Sequence, residues 1–146
     1  ADNTGVIAEI AKLAQYNIDA QASGKKMVPI FGICLGHQLL ALARGCKTSK
    51  LTYGHRGGNH PVKEVETGRV FITSQNHGYA VQCDNLPSFA KLAFYNSNDK
   101  TCEGITYIDI PAFSVQFHPE ACGGPHDTNF LFDKFIQNIL SNKEAK

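Results

Sequence analysis

Val28-Pro29-Ile30-Phe31-Gly32-Ile33-Cys34-Leu35-Gly36-His37-Gln38 decides the fold class of this 146-residue chain. Val28 to Ile33 is a short unbroken apolar run, which suits a strand buried on both faces of a parallel sheet. Pro29 is tolerated only near the start of such a strand, because it cannot donate to a ladder. Gln38 to Arg44 is rich in Leu and Ala and stops at Gly45, a good residue just past a helix end. Between strand and helix, Gly32 and Gly36 flank Cys34 two residues to either side, so the chain can turn sharply there. Strand, tight turn and helix in succession are α/β grammar. The same geometry is that of a nucleophile elbow with Cys in place of Ser. A thiol at such a turn lies near a helix N-terminus, whose dipole favours the thiolate. A buried structural cysteine between two turn glycines explains the five-residue motif equally well.

Outward from this stretch, residues 5–20 read as an amphipathic helix. Val6, Ile10, Leu13 and Asn17 recur at helical spacing, and Thr4 is placed to cap. Pro61 to Val65 and Arg69 to Ser74 flank Thr67-Gly68 as a hairpin. Tyr79–Val81, Leu92–Tyr95 and Gly104–Tyr107 are short strand candidates, and Tyr53 to Pro61 reads as a loop. Phe113, Val115 and Phe117 alternate with Ser114 and Gln116, the period of a half-buried strand. Asp127 to Leu140 reads as a helix capped by Asp127, with Phe132, Phe135, Ile136, Ile139 and Leu140 as a core-facing stripe.

Composition narrows the classes of function. Apolar residues make up 42% and charged residues 18%, enough for a core and too apolar for disorder. A net charge of +1 carries no cationic surplus of the kind nucleic-acid binding needs. No apolar run is long enough to span a bilayer. Five cysteines, an odd number and without CxxC, support neither a disulfide framework nor a zinc ribbon, so a reducing compartment is expected. His55, His60, Cys46 and Cys122 show no repeated ligand spacing, and no metal site is expected. Without GxxxxGK[ST] or GxGxxG there is no nucleotide-cradle signal. The chain starts at Ala1 rather than Met, so it reads as processed, trimmed or partial.

A cysteine nucleophile needs a base, and the base needs an orienting group. Among the six histidines, His118 ends a strand candidate, is stiffened by Pro119 and has Glu120 two positions on. That carboxylate could accept the ring Nδ1–H and leave Nε2 for the thiol. An exposed His-Pro-Glu loop is the competing reading. His37 reads as structural or a partial cap. Gln38 reads as either a solvated side chain or a donor into the site. Ser74 to Tyr79 is polar where a strand meets a loop, which is unusual for pure scaffold.

Phe31 to Gln38 and Phe113 to Glu120 together resemble the two signatures of the class I, triad-type glutamine amidotransferases, in the right order. Thr52 to Val62, Ser74 to Gly78 and Gly123 to Asp127 resemble the carbamoyl phosphate synthetase small-subunit branch of that family. The resemblance runs from about residue 28 to 140 and is weak before it. It implies a three-layer, flavodoxin-like α/β domain with a mixed sheet, of which residues 1–146 form part and whose first strands are missing.

The resemblance further implies a Cys34–His118–Glu120 triad that hydrolyses L-glutamine through a γ-glutamyl thioester. Ammonia would pass to a carbamoyl phosphate synthetase large subunit, serving arginine and pyrimidine synthesis. Leu35 and Gln38 would sit on the substrate, with the Leu35 N–H as an oxyanion donor. Asn76, Gly78 and Tyr79 would hold the α-amino and carboxylate groups, mostly through main chain; relatives often carry Phe at Tyr79. No cofactor is implied in this chain, since ATP and Mg2+ belong to the large subunit. The setting implied is cytoplasmic, or organellar if a leader precedes Ala1, with no membrane or nucleic-acid partner. The family's Gly-Pro-Gly-Asp-Pro segment, which supplies a second oxyanion donor, has no counterpart before the first helix. The rival readings are a silent interaction module on the same fold, another class I amidotransferase, and a hydrolase of another γ-glutamyl substrate.

Overall fold

The computed structural model describes residues 4–119 and 130–144. In chain order the elements are α1 (Thr4–Ala22), β1 (Ile30–Ile33), α2 (Leu35–Ala43), β2 (Thr48–Glu64), β3 (Val70–Val81), β4 (Ala90–Asn96), β5 (Cys102–Tyr107), β6 (Ala112–Val115) and α3 (Phe130–Glu144). The strands form one mixed sheet in the order β1-β6-β5-β4-β2-β3. β1 and β6 run parallel, with Ile33 opposite Val115, and every other pairing is antiparallel.

Two apolar clusters cover the two sheet faces and make three layers. On one face, Ala14 of α1 and Leu40 and Ala41 of α2 pack with Ile105, Tyr107 and Ala112. On the other, Leu131 of α3 packs with Phe71, Phe94, Phe113, Val115 and Phe117. Phe31 stacks on Phe113 with ring centroids 4.5 Å apart, which ties β1 to this second cluster.

The helix boundaries follow local chemistry. Gly45 takes φ +90° just past α2, which L side chains avoid. Asn17 is fully buried within α1. Its Nδ2 donates to the Val28 carbonyl at 2.9 Å, and its Oδ1 accepts the Val28 N–H at 2.6 Å. One side chain thereby satisfies both backbone groups of the residue leading into β1.

Several expectations are corrected. Among the described residues β1 is half-buried and pairs with β6 alone. The strand buried on both faces is β6, which lies between β1 and β5 and is buried at all four positions. Ser114 and Gln116 therefore face protein, not solvent, and their alternation with Phe113 and Val115 marks two chemically different interiors. Residues 53–61 are not a loop but part of the 17-residue β2. Ser74 to Tyr79 likewise lies inside β3. The α3 stripe faces differently from its reading: Leu131 is buried and Phe135 packs on the core, while Ile136, Ile139 and Leu140 are exposed. Asp127, read as the cap of that helix, lies outside the described residues.

Candidate active site

Cys34 sits between β1 and α2 with φ 54° and ψ −110°, a conformation L residues rarely adopt. The turn is locked from both sides. The Cys34 N–H donates to the Val115 carbonyl at 2.9 Å, and the Cys34 carbonyl accepts the Gln38 N–H at 3.3 Å in the first turn of α2. Gly32 is required here: a Cβ would lie 3.0 Å from the Gly36 carbonyl carbon and oxygen and 3.1 Å from the His37 nitrogen. Gly36 is not required in the same sense, since a Cβ there meets nothing within 4 Å. So the sharp turn rests on one of the two flanking glycines. Leu35 opens α2, and its N–H is one of the helix-start donors without an intrahelical acceptor.

The parallel register brings the second region to the same edge. With Ile33 opposite Val115, Cys34 leaves β1 beside Gln116, and His118 follows two residues later on the β6 side. Gln116 is fully buried, and its Nε2 approaches the Cys34 sulfur at 3.8 Å. The Gln116 Oε1 accepts from Gln38 Nε2 at 2.9 Å, and the same Gln38 amide donates to the Tyr79 carbonyl at 3.0 Å. His118 is half-buried, and its N–H bonds the Ser74 carbonyl at 3.1 Å, which fastens it to β3. Glu120 lies outside the described residues, as do Cys122, His126 and the Gly123–Asp127 segment.

A cleft of about 200 Å3 opens at this edge, lined by Cys34, Leu35, Gln38, Asn76, His77, Gly78 and Tyr79. It is small for a ligand pocket and suits a small metabolite rather than a nucleotide. The six residues Cys34, Leu35, Gln38, Asn76, Gly78 and Tyr79, named from sequence, share this one wall; His118 does not line it. Asn76 accepts from the Arg56 guanidinium at 2.8 Å. The Tyr79 ring is exposed while its carbonyl is used, so main chain rather than ring shapes the cleft.

The other described cysteines differ from Cys34. Burial pushes the thiols of Cys46, Cys83 and Cys102 up, which keeps them protonated. None of them lines the cleft. His37 is fully buried, its Nδ1 is 2.6 Å from the Ser114 hydroxyl, and its Nε2 has no hydrogen-bond partner among the described residues. Burial, with a smaller contribution from His77, lowers its pKa to about 3, so it is neutral and structural.

Sequence reading missed a polar interior behind the cleft. Thr73, Gln75 and His77 are buried on one side of β3, at a strict period of two. Gln75 and His77 meet each other and His55 of β2, and His55 in turn meets Glu103 of β5 and Asp99. Hydrogen bonding to Glu103, then the Asp99 interaction, outweighs burial and raises the His55 pKa to about 9. Desolvation lowers that of His77. The period-two run of polar residues was the available signal; assigning half of it to a loop concealed it.

No described helix is long and apolar enough to cross a membrane. The class-I glutamine amidotransferase family pattern matches residues 9–138. The carbamoyl phosphate synthase small chain of Fusobacterium nucleatum is 61% identical over 116 residues, covering 79% of this chain and 32% of that protein. The corresponding small chain of Methanocaldococcus jannaschii is 60% identical over 111 residues, covering 76% of this chain and 31% of the relative. The chain thus spans about a third of the length of these relatives. Among solved structures, a glutamine amidotransferase of Thermotoga maritima superposes with a TM-score of 0.62 over 97% of this chain and 57% of its own, at 22% identity, a likeness of fold. With its family pattern matched over most of its length and its elbow and three-layer sheet in place, the chain belongs to the class-I glutamine amidotransferase family.

Proposed function

We propose that this chain is the glutamine-hydrolysing part of a carbamoyl phosphate synthetase small subunit. The observation that carries the proposal is the elbow: Cys34 held at positive φ on the wall of a small cleft, at the start of α2. The Cys34 thiolate attacks the side-chain carboxamide carbon of L-glutamine. His118, oriented by Glu120, takes the thiol proton and returns it to the leaving nitrogen, so ammonia departs. Water, deprotonated by the same imidazole, then attacks the γ-glutamyl thioester and releases glutamate. The Leu35 N–H faces the developing oxyanion, and Gln38 braces the wall between Gln116 and Tyr79. Asn76, Gly78 and Tyr79 hold the amino-acid end of the substrate. None of these steps asks this chain for a cofactor, and ATP and Mg2+ are assigned to the synthetase subunit that consumes the ammonia in a cytoplasmic assembly.

A glutamine-analogue diazoketone tests the reading in the full-length protein. It is expected to label Cys34 alone and to be blocked by excess L-glutamine. Labelling of another cysteine, or none while glutamine is hydrolysed, would overturn the nucleophile assignment. A protein neither labelled nor hydrolysing glutamine with its partner present would instead be a silent interaction module.

A further inference from the structure

We propose that His55, His77, Glu103 and Gln75 form a binding site for one divalent transition-metal ion of the zinc type, bracing the wall behind the cleft. The inference starts from proton positions. The His77 Nδ1 is 2.7 Å from the Tyr79 carbonyl, which can only accept, so Nδ1 carries the proton and Nε2 presents a lone pair. The His55 Nε2 is 2.7 Å from an Asp99 carboxylate oxygen, so Nε2 carries a proton toward Asp99. Gln75 donates its Nε2 to the Thr73 hydroxyl at 2.8 Å, and that hydroxyl donates to the His60 carbonyl at 2.8 Å, which fixes Gln75 with its oxygen inward. Glu103 Oε2 accepts from Asn96 Nδ2 at 3.3 Å and faces the same point.

Four potential ligand atoms therefore converge, and an ion at their centre would take the place of the proton that His55 Nδ1 directs at Glu103. His55 Nδ1 lies 3.2 Å from His77 Nε2, 3.1 Å from Gln75 Oε1 and 3.3 Å from Glu103 Oε2, and Gln75 Oε1 is 2.7 Å from His77 Nε2. A proton on His55 Nδ1 is shared among the three contacts that start from it, but it leaves Gln75 Oε1 and His77 Nε2, 2.7 Å apart, lone pair against lone pair. A single cation at the centre serves all four. A tetrahedral zinc with bonds of about 2.0–2.1 Å keeps its ligand atoms roughly 3.3 Å apart. The His55, His77 and Glu103 ligand atoms all lie within 4.8 Å of one another, so a small turn of Glu103 completes the set. Glu103 is fully buried, and among the described residues its Oε1 has no hydrogen-bond partner to give up in that turn.

The surroundings match a metal's supporting shell. Each imidazole donates its distal N–H to a carboxylate or backbone carbonyl, the arrangement that fixes metal-ligating histidines. The site also closes a seam. β2 bonds to β4 only at Val62–Glu64, so His55 of β2 and Glu103 of β5 meet where no ladder joins their strands. The Tyr79 carbonyl that steadies His77 is the one that holds Gln38, so an ion here would stiffen the cleft wall.

The test uses the full-length protein carrying Cys34→Ser, so that the cleft thiol cannot bind metal, stripped with chelator and titrated with Zn2+ against a chromophoric competitor. One Zn2+ per chain is expected, with Glu103→Gln weakening it at least about a hundredfold. Asp99→Asn, at a half-exposed position that spares the fold, should weaken it about ten- to a hundredfold. Co2+ in place of Zn2+ should give the intense visible bands of a tetrahedral nitrogen and oxygen site with no thiolate charge-transfer band. Absence of stoichiometric uptake, uptake unchanged by Glu103→Gln and Asp99→Asn, or a weak octahedral Co2+ spectrum would each overturn the proposal. Should Glu103→Gln fail to fold, Asp99→Asn and the Co2+ spectrum still decide it.

Discussion

The two ends of the sheet are built on opposite principles. At the β1–β6–β5 end, aliphatic and aromatic side chains dominate the interior, with His37, Ser114 and Gln116 buried among them, and the elbow is held by backbone bonds and close packing. At the β2–β3 end, a polar cluster of His55, Gln75 and His77, with Glu103 reaching in from β5, is held by side-chain hydrogen bonds. The first end fixes where Cys34 stands. The second holds, through Tyr79 and Gln38, the wall that faces it. A reactive turn built on apolar packing tolerates little change of shape, whereas a polar interior tolerates little change of protonation or partner.

The largest contrast should come from Cys34 itself. Cys34→Ala is expected to lower glutamine turnover by at least about a thousandfold while costing only about 1 kcal/mol of stability. Stopped assays for ammonia, paired with thermal melts, check both halves. Wild-type turnover in the variant would remove the elbow from the mechanism. Cys34→Gly should be equally inactive yet more stable than Cys34→Ala, because glycine accepts φ 54° without strain.

Next in size is the acid limb of stability at the apolar end. His37 has a folded pKa of about 3, below its ordinary value of 6.5. The unfolded chain binds a proton at His37 through that window and the folded chain does not. The His37 contribution to stability is therefore full above pH 6.5 and falls, by several kcal/mol in the limit, as pH drops toward 3. Urea unfolding of wild type and His37→Gln at stepped pH reads this directly. The variant is expected to be less stable at neutral pH and to lose less between pH 6.5 and 4. An equal loss in both would assign the limb to other groups.

Within the proposed triad, His118→Ala should cost more turnover than Glu120→Gln, because the carboxylate orients the imidazole and does not carry the proton. Steady-state rates of both variants decide it, and the reverse order would exchange their roles.

Smaller effects separate the two glycines of the elbow. Gly32→Ala is expected to destabilise by about 1–3 kcal/mol and to lower turnover, since its Cβ meets α2 backbone at 3.0 Å. Gly36→Ala has open space and a helical position, and should be neutral or stabilising by about 0.5–1 kcal/mol. Equal destabilisation by both would show that the turn depends on the flanks alike.

The same comparison explains what could be read from sequence. The apolar end was legible because its signals are local: a run ending in Gly-x-Cys-x-Gly, a helix stopping at Gly45, a family signature at Phe113 to Glu120. Among the described residues β6 is more deeply buried than β1, although Val28 to Ile33 looks more apolar than Ala112 to Val115. Which strand lies centrally is decided by pairing, and pairing is not local. At the polar end, Tyr53 to Pro61 has the glycines and histidines of a loop but is held extended by its ladder with β3. The candidate cleft residues were nameable from two motifs. The cluster behind them was not, since its members come from three strands with no common spacing.

The most direct test of the central claim is rapid acid quench of the full-length protein turning over labelled L-glutamine, followed by peptide mass spectrometry. A γ-glutamyl adduct on the peptide containing Cys34, present during turnover and absent from Cys34→Ser, is the expected result. Ammonia released at an undiminished rate with no adduct on Cys34, or with the adduct on a different residue, would contradict it.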